Sequence, residues 1–380
     1  MKIIIAPDSF KDSLTSLEVI ESIEKGIKEV SKKIKIIKIP VADGGEGTVK
    51  AFIYNTEGKI YHKVITGPLG EKIKAHYGII YKENTSIIEM AATSGLSLVP
   101  LSKRNPLYTT TFGTGELIKQ VILDGCKKII IGIGGSATND GGMGILQALG
   151  VDFFDNNNNK LGFGGQELIK VHSIKNLNNL NNLIKGIEFI IASDVTNPLY
   201  GPNGAAYVYS PQKGASKEEV KQLDNGLKNF AKIIKKYLKK DIAKLPGAGA
   251  AGGIGGGLVA FLNAKLKPGI DLLLKSIKFE KRLYATDLII TGEGKTDFQT
   301  LYGKVPIGIA KIAKQHHVPV ICLSGGVVGD LKKLYNEGIT AFFSITQFPM
   351  DLHYAIKNSK KLLEFASENI IRLFIQNRSL

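Results

Sequence analysis

IIIGIGGSATNDGGMG, residues 129–144, decides how the rest of the chain is read. The run around Ile129–Ile131 is short, apolar and β-branched, as expected of a buried strand over Lys128–Ile133. It ends in Gly132, Gly134, Gly135, Gly141 and Gly142, interleaved with Ser136, Thr138, Asn139 and Asp140, before a helix over Gly144–Leu149. Glycines let the backbone turn sharply and approach a ligand without a Cβ in the way. Main-chain N–H groups ahead of a helix then form an anion cradle. The bland alternative is a tight turn with Asp140 as helix cap. This many glycines and polar side chains favour a ligand loop. Its binding candidates are Gly134, Gly135, Ser136, Ala137, Thr138, Asn139, Gly141 and Gly142, with Asp140 as a metal candidate.

Outward from this loop, both chain ends repeat a strand–helix rhythm. Lys2–Ala6 reads as a buried strand, Leu17–Val30 as a helix, Ile34–Pro40 as a strand and Gly45–Tyr54 as the start of a helix. Near the other end, Asp287–Thr291, Val318–Leu323 and Ala341–Ile345 read as strands. Helices are expected at Val305–His316, Asp330–Glu337 and Leu352–Ile375. Such alternation predicts an α/β fold with a parallel sheet covered on both faces. The middle differs: Lys59–Met90 alternates polar and apolar residues between turn signals, which suggests antiparallel strands. Glu188–Ala192 is another buried strand. The expected plan is two domains. Residues 1–66 and 270–380 form a parallel-sheet domain from both chain ends, and residues 67–269 form an inserted mixed α/β domain. The runs Asn156–Asn159 and Asn176–Asn182 are expected to be surface loops or local low complexity, with no functional signal.

Further loops sit where strands end, the usual ligand position in open α/β sheets. Pro7–Asp12 carries Asp8, Ser9 and Lys11. Asp43–Gly47 carries Asp43 and Glu46, paired carboxylates suited to Mg²⁺ or a polyol. Thr291–Gln299 carries Glu293, Lys295, Asp297 and Gln299. Asp194 and Asn197 follow the Glu188–Ala192 strand, and Lys213 lies in the turn Pro211–Ala215. Each loop taken singly has a helix-cap reading. Two tempting motifs fail on context. Gly294-Lys295-Thr296 lacks the earlier glycine of a P-loop, because Ile289 stands there. Gly247–Gly252 matches a dinucleotide fingerprint, but no strand precedes it. It reads as a flexible or tightly packed lead into a helix at Gly255–Leu262.

Composition narrows the classes. The chain has 380 residues, ample for two cores. No apolar run approaches the roughly 18 residues of a membrane span. The apolar start meets Asp8 at once, so a secretory leader is not expected. Cys126 and Cys322 make neither a disulfide framework nor a zinc site, which fits reduced thiols and a cytoplasmic protein. The net charge of +16 comes from scattered lysines, many on the stretch Lys217–Lys240. No aromatic-interleaved basic motif accompanies it, so neither nucleic acid nor membrane is expected as a partner.

Taken in order, APDSFKDSL, PVADGGEGTV, IGIGGSATNDGGMG, SDVTNPLYGPNGA, PQKGAS, LPGAGAAGGIGGGL and TGEGKTDFQTLYGKVPIG resemble the bacterial glycerate kinase family. The resemblance spans Met1 to about Ala366. The family usually has Arg where this chain has Lys295. The resemblance implies a flavodoxin-like domain, an inserted second α/β domain and a site between them. It implies ATP- and Mg²⁺-dependent phosphorylation of D-glycerate, more often to 2-phosphoglycerate than to 3-phosphoglycerate. A homodimer stays open. A catalytically silent glycerate- or sugar-acid-binding regulator of the same fold is the alternative. Within this reading Asp194 is the first choice of base and Asp297 the second. Lys11, Lys213 and Lys295 are candidates for the substrate carboxylate or the γ-phosphate. Asp8, Ser9, Asp43, Glu46, Asn197 and Gln299 complete the substrate set, and Asp43 and Asp140 the metal set.

Overall fold

The computed structural model describes residues 1–376, so the last four residues of the expected terminal domain lie outside the described residues. The chain divides into two units, Met1–Asp43 with the segment from Ile270 onward, and Gly44–Gly269.

The terminal unit is built on a five-stranded sheet in the order Lys35–Lys38, Lys2–Ile5, Leu288–Thr291, Val320–Ser324, Ala341–Ser344. Every pairing is parallel. Counted within this sheet, the strand order is 2-1-3-4-5, the doubly wound arrangement found in flavodoxin. Its switch point lies between Lys2–Ile5 and Leu288–Thr291. Strands buried on both faces need continuous apolar runs, which Ile3–Ile5 and Leu288–Ile290 supply, all 0% exposed. Helix Ser16–Val30 begins at a capping box, in which the Thr15 side chain accepts the Glu18 N–H and Glu18 reaches back to the Thr15 N–H. It packs on the long helix Leu352–Gln376, and Gly26 marks the crossing: a Cβ there would lie 2.1 Å from the Glu364 carbonyl oxygen.

The middle unit holds a six-stranded mixed sheet in the order Lys265–Lys267, Glu188–Ala192, Lys128–Gly132, Thr85–Glu89, Lys72–Ile80, Lys59–Thr66. The last three strands form the expected antiparallel meander. Thr85–Glu89 also pairs parallel with Lys128–Gly132, which joins the meander to a parallel half.

Two expectations are corrected. Residues 44–66 belong to the middle unit, because Lys59–Thr66 pairs along its whole length with Lys72–Ile80. A strand goes where its ladder is, and sequence alternation alone does not name the partner sheet. Of the two asparagine-rich runs, Asn156–Asn159 lies in a loop, but Asn176–Asn182 runs into a short helix, Leu177–Leu183. Leu177, Leu180 and Leu183 recur every three residues, and Leu180 is buried, so the apolar spacing outweighs the asparagines.

Candidate functional site

In the terminal unit, the chemistry-bearing residues gather at the switch point. The Asp8 N–H donates to the Gly292 carbonyl (2.8 Å), and the Val41 N–H donates to the Pro7 carbonyl (3.3 Å), so three strand-end loops are tied together. Gly294 lies against the main chain of Phe10 and Lys11. Asp8 is half-buried and accepts the Ser9 N–H at 2.6 Å. Its carboxyl is pushed well above the ordinary range, first by burial, then by the charge of Asp43; Ser9 opposes and Glu293 adds. Glu293 is 6% exposed and accepts from Thr300 Oγ1 (2.6 Å), Thr296 Oγ1 (3.1 Å) and Lys304 Nζ (3.4 Å). Burial also raises its carboxyl, against these donors.

The other predicted residues of this unit fall differently. Lys11, Lys295 and Gln299 are exposed. The Asp297 carboxylate caps the turn Phe298–Tyr302 by accepting the Gln299 N–H at 2.9 Å, and pairs with Lys295 at 3.2 Å. Burial resists, but these bonds prevail and hold its carboxyl below the ordinary range. A carboxylate so occupied makes a poor proton acceptor.

In the middle unit the Gly-rich loop is held from several sides. The Gly134 N–H donates to the Gly44 carbonyl (3.2 Å), Ala137 N–H to Ser94 (2.9 Å) and Gly141 N–H to Gly252 (3.0 Å). Leu96 N–H donates to the Gly135 carbonyl (2.8 Å). The Asp43–Gly47 loop therefore reaches the Gly-rich loop through its glycines. A Cβ on Gly132 would sit 2.5 Å from the Gly44 oxygen, and one on Gly134 would sit 2.9 Å from the Gly45 Cα. Gly44 also abuts Ala192, the last residue of the strand that leads to Asp194. Three of the predicted loops thus converge at the carboxyl ends of neighbouring strands.

The cradle is smaller than the sequence suggests. The N–H groups of Gly134, Ala137, Gly141 and Gly142 serve the fold, and Thr138 and Asn139 are fully buried. What reaches the surface is the tip at Gly134–Gly135, where Gly135 takes the left-handed conformation, φ 74°. Behind the tip, Thr138 Oγ1 and Asn139 Nδ2 are buried without a protein partner among the described residues.

Asp140 is corrected from metal candidate to structural cap. It is wholly buried. Its Oδ2 accepts from Thr111 N–H (2.9 Å), Thr111 Oγ1 (2.8 Å) and Gly144 N–H (3.3 Å), and its Oδ1 from Gly142 N–H (3.1 Å). Three donors crowd Oδ2 and one engages Oδ1, so the carboxylate is committed to the loop that carries it. Burial raises this carboxyl, while the four donors oppose the rise. Lys213, expected to meet substrate, is 2% exposed and donates to Ser136 Oγ (2.7 Å) and the Thr138 carbonyl (2.6 Å). Asn197 is also engaged: its Oδ1 accepts from Tyr209 (2.7 Å) and its Nδ2 donates to the Asn203 carbonyl (2.9 Å). Asp194 is half-buried and Glu46 exposed.

One residue escaped the sequence reading. Glu89 closes the strand Thr85–Glu89 and is 2% exposed. Its carboxylate accepts the N–H groups of Val49 and Gly47, at the start of helix Thr48–Asn55. It therefore caps the helix that follows the Asp43–Gly47 loop. Burial raises the carboxyl to about 7 in spite of these bonds. His76 lies 3.8 Å away. The signal was available: EMAATSG, residues 89–95, is another polar strand end followed by small residues and a glycine.

Among the described residues no cluster of three or more His, Cys, Asp or Glu is placed to hold a metal. Mg²⁺ in phosphoryl transfer needs less, one or two carboxylates with substrate phosphates and water. The mutually repelling Asp8 and Asp43 fit that demand. No helix among the described residues is long and apolar enough to cross a membrane.

Comparison with known proteins follows from this geometry. The model of the glycerate kinase family matches residues 3–375. The chain is 48% identical over 370 residues to glycerate 2-kinase of Escherichia coli (strain K12), covering 97% of each chain. It is 47% identical to glycerate kinase of Bacillus subtilis (strain 168), again over 97% of each. A crystal structure from Salmonella typhimurium LT2, of a proposed glycerate kinase 2, superposes with a TM-score of 0.87 at 43% identity, covering 100% of both chains.

Proposed function

The chain belongs to the glycerate kinase family, and from that premise we propose that it transfers the γ-phosphoryl group of ATP to D-glycerate, forming 2-phosphoglycerate. The observation that carries this reading is the glycine tip Gly134–Gly135, tied by hydrogen bonds to Gly44 and Leu96, with the loop behind it tied to Ser94 through Ala137 and to Gly252 through Gly141, in a unit whose loops converge at strand ends. Phosphoryl transfer asks a protein for alignment and charge neutralisation more than for covalent chemistry. A preorganised tip meets that demand, since its dipoles need no reorganisation as charge moves. The choice of the 2-hydroxyl rests on the name of the Escherichia coli relative.

Asp8 and Asp43 are the residues that would hold Mg²⁺, which supplies neutralisation of the developing phosphate charge. Exposed Lys11 and Lys295 offer cations to the substrate carboxylate or the phosphate. Asp194, on the loop after Glu188–Ala192, takes the proton of the attacking hydroxyl. Asp297 is set aside for that role because its carboxylate caps a turn. The test is glycerate-dependent release of ADP by the purified protein with Mg²⁺, run on wild type and on Asp194→Asn. Wild type turns over, and the variant loses on the order of 10²-fold in kcat with both KM values little changed. Asp194→Asn at near-normal kcat sinks the base assignment. Glycerate binding without any ADP release favours the regulator of the same fold.

A further inference from the structure

Lys213 is the most buried cation among the described residues. It sits on the turn Pro211–Lys213, between helix Ala205–Tyr209 and helix Lys217–Leu238. Taking an ammonium out of water costs several kcal/mol unless hydrogen bonds and an opposite charge compensate. Burial prevails and lowers its pKa to about 7; what compensation there is comes from the Gly-rich loop, through Ser136 Oγ, the Thr138 carbonyl and the charge of Asp140, and either the ammonium or the neutral amine can donate to both acceptors. The turn is also built to deliver the side chain there. Gly214, at φ 95°, passes so close to Arg104 that a Cβ would lie 2.1 Å from its carbonyl oxygen, so the main chain beyond Lys213 is held as well.

The two acceptors are two residues apart and both follow the tip. One ammonium bonded to both closes a ring across Ser136–Thr138 and fixes where Gly135 points. The tip has other ties, to Gly44 and Leu96, and Ala137 behind it is tied to Ser94, but these are all main-chain. Thr109 Oγ1 also donates to the Ala137 carbonyl (2.8 Å) and Ser210 Oγ to Asn139 Oδ1 (3.1 Å), but each holds one residue, whereas the Lys213 side chain bonds two, Ser136 and Thr138, among the described hydrogen bonds. An ammonium so enclosed has little surface left to offer a substrate carboxylate.

We propose that Lys213 is a positioning residue for the nucleotide: it pins Ser136 to Thr138, and so holds the Gly134–Gly135 tip in the conformation that receives the phosphates, without itself touching glycerate. This rests on the reading of the tip as a phosphate cradle. The test measures, by titration calorimetry, the binding of a non-hydrolysable ATP analogue with Mg²⁺ and, separately, of D-glycerate, together with both KM values and kcat. The proteins are wild type, Lys213→Met, Ser136→Ala, the double variant and Gly135→Val.

Lys213→Met is expected to weaken the analogue at least tenfold and raise KM for ATP in step, while glycerate affinity stays within about twofold. Ser136→Ala is expected to weaken the analogue by about three- to fivefold. The double variant should bind it no worse than Lys213→Met does, because both changes remove one interaction. A large loss of glycerate affinity with the analogue unaffected overturns the proposal and returns Lys213 to the substrate. Additive losses in the double variant also overturn it. If Lys213→Met does not fold, Ser136→Ala decides alone: no loss of analogue affinity contradicts the proposal. Gly135→Val separates the two layers of the argument. If it spares the analogue, the cradle reading itself falls; if it weakens the analogue while Lys213→Met does not, only the role of Lys213 falls.

Discussion

Glu89 shows how much one buried side chain can carry. Its carboxyl is raised from an ordinary 4.5 to about 7 by burial, and the groups facing it are His76, Lys50, Glu46 and the N–H groups of Gly47 and Val49. Below pH 4.5 the group is protonated in both folded and unfolded chains, and burial costs nothing in charge. Between 4.5 and 7 the unfolded chain ionises first, so stability falls as pH rises; above 7 the loss is constant. A shift of this size corresponds to about 3 kcal/mol. Glu89→Gln removes the dependence and keeps the shape. The melting temperature of Glu89→Gln relative to wild type is therefore expected to climb between pH 5 and pH 8. Parallel curves across that range would show that the Glu89 carboxyl titrates alike in the folded and unfolded chains, with no burial penalty.

The same residue marks what the sequence could not reveal. Asp297 and Asp140 each offered a cap reading beside a functional one, and each accepts from N–H groups two to four residues on, although the shortest bonds of Asp140 come from Thr111, 29 residues away. Such local bonds are legible in principle. The pairing of Glu89 with Val49, or of Lys213 with Ser136, joins positions 40 and 77 residues apart, and no spacing rule reports a partner at that distance.

At the scale of elements, the glycine-rich stretch 247–257 has become a packing device. Helix Ala250–Leu262 contains three left-handed residues, Ala251, Gly252 and Gly253. There the main chain lies directly on the Gly-rich loop: a Cβ on Gly252 would meet the Thr138 carbonyl oxygen at 2.1 Å, and one on Gly257 the Gly141 oxygen at 2.0 Å. Main chain cannot retreat as a side chain can. Gly252→Ala is expected to destabilise by about 3 kcal/mol or more and to weaken nucleotide binding, as a left-handed alanine and a clash combine. Gly186→Ala is the control. Its φ is 76°, but its surroundings are open, so about 1 kcal/mol is expected. Chemical denaturation of both variants checks the contrast; equal losses would mean that conformation, not close packing, sets the cost. The sequence reading had a tightly packed lead-in as one of its options, but a run of glycines does not say which backbone it meets.

At the scale of the molecule, strand periodicity gave the parallel sheet and the antiparallel meander, and misplaced residues 44–66. The 2-1-3-4-5 order follows from pairings that link Lys2–Ile5 to Leu288–Thr291 across most of the chain. Each unit buries an extensive apolar core of its own, one around Phe153, Phe230 and Phe261, the other around Ile3, Ile23, Leu288 and Leu363. The middle unit is one continuous segment, Gly44–Gly269. We predict that this segment, expressed alone, folds with a cooperative thermal transition and native-like circular dichroism. A fragment of 67–269, lacking the edge strand Lys59–Thr66 and Glu89's helix, is expected to melt lower or not fold at all. Equal stability of the two fragments would argue against assigning residues 44–66 to this unit.

The central claim concerns the reaction itself. Phosphorus NMR of the purified chain with ATP, Mg²⁺ and D-glycerate follows donor and product in one spectrum. The account predicts loss of the ATP γ-phosphate resonance only when glycerate is present, with growth of a phosphomonoester whose proton coupling places it on the 2-hydroxyl. Phosphate on the 3-hydroxyl would correct the position and keep the reaction. An unchanged ATP spectrum in the presence of glycerate, from folded protein, would contradict the account.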